Sequence, residues 1–190
     1  MDKRKYLTLE AWFVGKIQGA FSAFDMQALD TGCQRLKKGD VYVEVGTQNG
    51  RSAYVANCFL PKGVDCTAVD IVDASAGPDT MSRKDFFDTY LPNWKFIHMS
   101  SEKASKTWNK PIDMLFIDAD HSYEMVKLDV DSWSPFVKSG GYIFFHDADA
   151  TSPGVEQLVR EMGASKDYDE MTFYRDTQEN NTSMASVRKK

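Results

Sequence analysis

Cysteine is scarce in this 190-residue chain, with only three, at positions 33, 58 and 66. They make neither an even set nor a C-x-x-C pair, which excludes a disulfide framework and a structural zinc site and leaves reduced thiols. Proline is also sparse, and neither a Pro/Gly/Ser-rich linker nor an internal repeat divides the chain. Residues 1–190 are therefore expected to be one folding unit. Positive charge is in deficit: 23 Lys and Arg stand against 28 Asp and Glu, a net charge of -5. That balance argues against a nucleic-acid partner held by neutralised phosphates. The only basic clusters, "MDKRK" and "VRKK", read as solvated ends. Long apolar runs are missing too. "AWFV", the longest near the N-terminus, is too short for a signal-peptide core or a membrane span. A cytoplasmic protein without a membrane partner is the expectation.

What is present is an alternation of strands and helices. "DVYVEVG" (40–46) is a β-branched run ending in glycine, and "RSAYVANCFLP" (51–61) follows with helical spacing and a proline stop. Strands are expected again at 65–72, 95–100, 112–118 and 141–147. Helices are expected at 83–94, from Ser122 to the glycine pair at 140–141, and at 153–163. The closing runs "EMTFYRD" and "TSMASVRK" predict a hairpin. Together these predict an α/β fold: a Rossmann-like, doubly wound, mostly parallel seven-stranded sheet with an antiparallel last strand. Residues 1–38 are expected to be a helical cover over a core of residues 39–190.

Parallel sheets bind ligands at the carboxyl ends of their strands, and four such ends carry polar residues: "EVGTQNGRS", "VDIVD", "IDADH" and "FFHDAD". In the first, Gly46 and Gly50 let the backbone approach a ligand, and the helix that follows offers free N–H groups. Gln48 breaks the dinucleotide pattern G-x-G-x-x-G, and Glu44 would repel a phosphate. A ligand with an adenosine but no pyrophosphate suits both departures, with Glu44 placed to help hold an ammonium group. Asp70, at the end of the second strand, is placed to accept hydrogen bonds from both hydroxyls of a ribose.

"VEVGTQNGRSA", "AVDIV", "IDMLFIDADHSYEMVKLDVDSW", "GGYIFFHDAD" and "SPGVEQLVREM" together resemble the class I S-adenosylmethionine-dependent methyltransferases, in particular methyltransferase family 24. Macrocin-type sugar O-methyltransferases and cephalosporin-hydroxylase-like proteins are relatives of that branch. The resemblance covers about residues 40–163. It implies S-adenosylmethionine as cofactor, with Glu44, Gly46 and Gly50 along its methionine part and Asp70 on its ribose. Ser100 or Ser101 is implied near the adenine, and Ser52, Ile71 and Asp118 complete the expected cofactor site.

Methyl transfer to an alcohol needs a group that takes the hydroxyl proton, or a metal that binds the oxygen. Asp120, His121 and His146 are the candidate bases. The alternative is a divalent ion, magnesium or manganese, on Asp118, His146 and Asp147; the resemblance implies acids or amides at 146 and 147, and histidine at 146 departs from that pattern. Ordinary helix capping accounts for Asp120 or Ser122 but not for a second acidic cluster in "FFHDAD". The aromatic stripe Phe86, Phe87, Tyr90 and Trp94 predicts core. Trp12, Phe13, Phe21 and Phe24 are expected in a lid or in a homo-oligomer surface, and loop 73–83 is placed to meet the acceptor. The implied activity is O-methylation of a sugar or small-molecule hydroxyl. A non-catalytic nucleoside-binding subunit is the competing expectation.

Overall fold

The computed structural model of the protein describes residues 17, 19, 21–72, 82–175 and 183–190. Within them, strands β1 (Val41–Val45), β2 (Asp65–Asp70), β3 (Trp94–His98), β4 (Ile112–Ile117), β5 (Val137–Phe145), β6 (Tyr168–Arg175) and β7 (Ser183–Lys189) form one sheet. Its order is β3-β2-β1-β4-β5-β7-β6. The first five strands are mutually parallel, and β7 runs antiparallel to both β5 and β6. The helices are α1 (Ala23–Cys33), α2 (Arg51–Phe59), α3 (Arg83–Tyr90), α4 (Ser101–Ser105), α5 (Tyr123–Trp133) and α6 (Pro153–Ala164).

The near-continuous apolar runs of β4 and β5 follow from burial on both faces of the sheet. Successive side chains point to opposite sides. Met114 and Phe116 pack with Phe144 under α1, α2 and α3, while Leu115 and Ile117 pack with Ile143 and Phe145 under α4, α5 and α6. Each fully buried Phe, Leu or Ile contributes about 1.5–3 kcal/mol, so these two layers hold the sheet rigid beneath the loops. Phe86, Phe87 and Trp94 lie in the first layer, as the stripe predicted, with Tyr90 half exposed. Cys33 and Cys66 are buried, Cys58 is exposed, and none of the three is in a disulfide.

The boundaries that differ most from the sequence expectation are two helix ends and one strand start. The helix from Ser122 stops at Trp133 rather than at the glycine pair. Ser134–Phe136 forms a 3-10 turn, and Val137 already enters β5. Pro135 lacks an N–H and blocks the helical turn, while Val137 gains a strand partner in Ile112. Helix α3 ends at Tyr90 because Leu91, preceding Pro92, is pushed out of the helical region. A short helix, α4, was not expected and takes up Ser101. Trp12, Phe13, loop 73–81 and, of the expected 1–38 cover, residues 1–16, 18 and 20 lie outside the described residues.

Candidate active site

Backbone pairing continues one residue past three neighbouring strands. Gly46 N donates to Val69 O, Asp118 N to Val45 O and His146 N to Ile117 O. Since Val45, Ile117 and Phe145 are in register, Gly46, Asp118 and His146 stand side by side at the carboxyl ends of β1, β4 and β5. Strand order reverses between β1 and β4, the switch point where open α/β sheets form their clefts.

The glycine loop fits that cleft closely. Gly46 has φ 81°, and a Cβ there would lie 2.3 Å from the Asp118 carbonyl oxygen; Gly50 has φ 79°, and its Cβ would meet the Phe86 ring at 2.3 Å. Only glycine serves at either place. Gln48 also takes a left-handed conformation, φ 43°. Asp70 braces this turn: its Oδ2 accepts from Thr47 N at 2.8 Å and Gln48 N at 2.7 Å, and its Oδ1 from Val72 N at 2.7 Å. With about four acceptor positions on a carboxylate, one remains, enough for one ribose hydroxyl in this conformation rather than the expected two.

A cleft of about 260 Å³ lies beside the loop, walled by Phe21, Thr47, Gln48, Asn49, Ser52 and Asp118. Glu44 stands behind Ser52, fully buried. It accepts from Ser52 Oγ at 2.8 Å and from the Tyr42 hydroxyl at 3.2 Å. Burial pushes its carboxyl up to about 8, against the pull of these hydrogen bonds. At neutral pH Glu44 is therefore a neutral acid, so its expected contact with an ammonium group costs an ionisation. Ser100 stands at the N-cap position of α4 without a side-chain capping bond, while Ser101 Oγ accepts from Trp133 Nε1 at 2.9 Å. Ile71 is 65% exposed at the end of β2.

The acidic and imidazole groups form one cluster, and Asp120 lies outside it. Its Oδ1 accepts from Ser122 N at 2.7 Å and Ser122 Oγ at 2.6 Å, which holds its carboxyl below the usual range and closes a local turn. His121 is half exposed, with Nε2 3.2 Å from Asp147 Oδ2. His146 is buried, with Nδ1 2.9 Å from the same Asp147 oxygen and 3.1 Å from Asp118 Oδ1. Asp147 is held in a left-handed conformation, φ 53°, a strain that persists only where the surroundings fix it. Burial alone would lower the His146 pKa; the carboxylates of Asp118, Asp147 and Asp25 outweigh it and hold the ring well above the ordinary histidine range. Asp147 is kept low by the two imidazoles in spite of its burial.

Asp25 is the residue that sequence reasoning missed. Its carboxylate, wholly buried at the start of α1, lies with Oδ2 3.5 Å from His146 Nε2. The stretch "SAFD" signals only a helix start, because Ser22 and Asp25 form a capping box. Phe21, expected in a lid, stacks on the His146 ring at 5.1 Å and 24°.

The residues expected to hold a metal, Asp118, His146 and Asp147, lie together, with His146 Nδ1 against both carboxylates. Asp118, His121 and Asp147 bring ligand-type atoms within 4.8 Å of one another, and His146 is not in that group. The space a divalent ion would need between Asp118 and Asp147 faces His146 Nδ1, within hydrogen-bond distance of both. Nδ1 donates to these carboxylates in one tautomer and offers its lone pair to the space between them in the other.

Comparison with known proteins agrees with this architecture. A family model described as a methyltransferase domain, that of methyltransferase family 24, matches residues 43–148, more than half of the chain. An uncharacterized protein, R132, of Acanthamoeba polyphaga mimivirus is 38% identical over 61 residues, 29% of this chain and 28% of that protein. The chain thus spans less than a third of the length of this curated relative. Three solved structures share the fold. An O-methyltransferase from Bacillus cereus in complex with SAH has a TM-score of 0.65 at 15% identity, covering 98% of this chain and 90% of that one. An rRNA methylase from Streptococcus thermophilus has 0.66 at 14%, covering 86% and 94%. An S-adenosylmethionine-dependent O-methyltransferase from Thermotoga maritima has 0.68 at 11%, covering 95% and 70%. With the matched segment spanning the glycine loop and both acidic strand ends, the chain belongs to methyltransferase family 24, within the class I S-adenosylmethionine-dependent methyltransferases.

Proposed function

We propose that the protein methylates a hydroxyl of a small molecule, of the sugar type, with His121 as the general base. The observation that carries this reading is the half-exposed His121 ring, 3.2 Å from Asp147 and grouped within 4.8 Å with Asp118, which lines the cleft. Asp147 accepts the Nε2 proton, which leaves the lone pair on Nδ1 to receive a proton from an acceptor hydroxyl. Asp120 is occupied by Ser122, and His146 is shut away from any acceptor by Phe21.

S-adenosylmethionine supplies an electrophilic methyl group on a sulfonium sulfur, and its loss leaves S-adenosylhomocysteine. This chain's residues supply the rest. The Gly46–Gly50 turn admits the cofactor close to the backbone, and Ser52 presents a hydroxyl to the cleft wall. Asp70 would offer its remaining acceptor position to one ribose hydroxyl, and Asp118 would line the cofactor's cleft. The bound cofactor would supply the methyl carbon and keep the carbon–sulfur electron pair on its sulfur, and His121 Nδ1 would receive the proton that the acceptor hydroxyl loses.

One structural neighbour is described as an rRNA methylase and two as O-methyltransferases. The net charge of -5 favours a small neutral acceptor over RNA. The test is transfer of labelled methyl from S-adenosylmethionine to a panel of sugars, phenols and hydroxylated natural products. His121→Ala is expected to lower kcat by about 10²-fold or more while cofactor affinity is kept. Undiminished transfer by the His121→Ala variant, or label appearing only on an RNA added to the panel, would remove this reading.

A further inference from the structure

We propose that Arg51 binds the carboxylate at the amino-acid end of the cofactor, and so makes the cleft specific for a nucleoside that carries an intact α-amino acid. The inference rests on S-adenosylmethionine being the cofactor, and it adds which charge of that end goes to which wall.

At neutral pH the amino-acid end of such a cofactor is a zwitterion, with an ammonium and a carboxylate on one carbon. A cleft that takes it up needs donors and positive charge on one side and an acceptor on the other. Two charged side chains line the cleft: Arg51, the first residue of α2, and Asp118, just beyond β4. Among the described residues Arg51 is the only cation in that lining. Asp118 repels a carboxylate and Arg51 attracts it, which leaves the ammonium on the Asp118 side. Glu44, behind Ser52, keeps its proton up to about 8 and adds no charge against the carboxylate.

The surroundings prepare Arg51 for this contact. A guanidinium stays charged and presents its N–H groups as a planar fork that matches the two oxygens of a carboxylate. Arg51 Nη1 donates to Gly19 O, which ties the side chain down. A Cβ at Gly19 would lie 3.3 Å from Arg51 Cδ and 3.5 Å from Arg51 Cβ, so the Gly19 backbone runs along the aliphatic stem. A side chain held in this way loses little rotamer freedom when a ligand arrives. It is also half-buried, where charges attract more strongly than on an open surface. The neighbouring wall carries the same bias. Asn49 Oδ1 accepts from Arg83 Nη2 at 3.0 Å, so the amide of Asn49 turns donors rather than its oxygen to other partners. Arg83, 4% exposed, is a second positive charge behind that wall.

Calorimetry of the full chain with three ligands tests the proposal without relying on turnover. They are S-adenosylhomocysteine, its decarboxylated analogue, which keeps the ammonium and lacks only the carboxylate, and methylthioadenosine, which lacks the amino-acid end. Wild type is expected to bind S-adenosylhomocysteine roughly 10- to 100-fold tighter than the decarboxylated analogue, the range of a charge-assisted hydrogen bond. Arg51→Met is expected to shrink that ratio to about threefold or less with methylthioadenosine bound as before, and Arg51→Lys to recover part of it. An unchanged ratio in Arg51→Met would overturn the proposal. Equal weakening of all three ligands would also overturn it, because an arginine that merely ties down Gly19 acts on each alike. Since Arg51 begins α2, folding of the variants is checked by circular dichroism, and a second test needs no variant. In a crystal structure of wild type with S-adenosylhomocysteine the ligand carboxylate is expected on the Arg51 guanidinium, and a carboxylate bonded elsewhere would refute the idea. The expected ratios in a protein that methylates no hydroxyl would sink the proposed function and leave this inference standing. Hydroxyl methylation by a wild type that binds both amino-acid ligands equally would do the reverse.

Discussion

Replacing Glu44 by glutamine tests the electrostatics of the cleft with one change of atom type. The side chain is wholly buried behind Ser52, and its carboxyl is pushed up to about 8 by loss of water. An unfolded chain releases this proton near pH 4.3. Between that value and about 8 the native state holds a proton that the unfolded state has lost, so stability falls as pH rises. The contribution is fully present below the unfolded value and gone above the folded one. Each pH unit in that window is worth about 1.4 kcal/mol, or roughly 5 kcal/mol over the whole window. Glutamine keeps an acceptor for Ser52, and the Tyr42 hydroxyl can turn to receive its amide. Urea titrations of both chains at pH 5, 7 and 9 supply the measurement. The gap between Glu44→Gln and wild type is expected to move in the variant's favour by about 3–6 kcal/mol between pH 5 and pH 9. Parallel loss of stability in the two proteins would mean that Glu44 is ionised throughout, and the account of its burial would fail.

Two further substitutions separate the roles of neighbouring residues. Gly46→Ala places a methyl group 2.3 Å from the Asp118 carbonyl at a positive φ, so a loss of roughly 3 kcal/mol or more is expected by thermal denaturation, together with lost cofactor binding by calorimetry. Asp120→Ala removes two local hydrogen bonds to Ser122; about 1 kcal/mol of stability is expected to go while methyl transfer stays near wild type, and a large loss of kcat would make Asp120 the base instead of His121.

Much of the fold was legible because the signals were local. The apolar run at 112–117 and the glycine turn at 46–50 need only their own neighbours to define strand and loop. The pairing of "IDADH" with "FFHDAD" was also within reach, since both end parallel strands. What the sequence could not supply was direction and distance. Asp120 and His121 are adjacent, and only the turn closed by Ser122 decides which of them faces the cluster. Asp25 belongs to a helix far back in the chain, and its meeting with His146 is a matter of tertiary packing. His146 reads as a base or a ligand until the ring is seen between three carboxylates. The end of α5 was missed because Val137 pairs with Ile112, a long-range gain that outweighs the helical pattern.

Methyl transfer is proposed at the ends of β1, β4 and β5. The most direct test is a crystal structure of the protein with S-adenosylhomocysteine, reading the position of the sulfur. The account predicts the sulfur between the Gly46–Gly50 turn and Asp118, with the His121 ring facing the space its methyl group would fill. A sulfur at any other strand end, or one screened from His121, would contradict it.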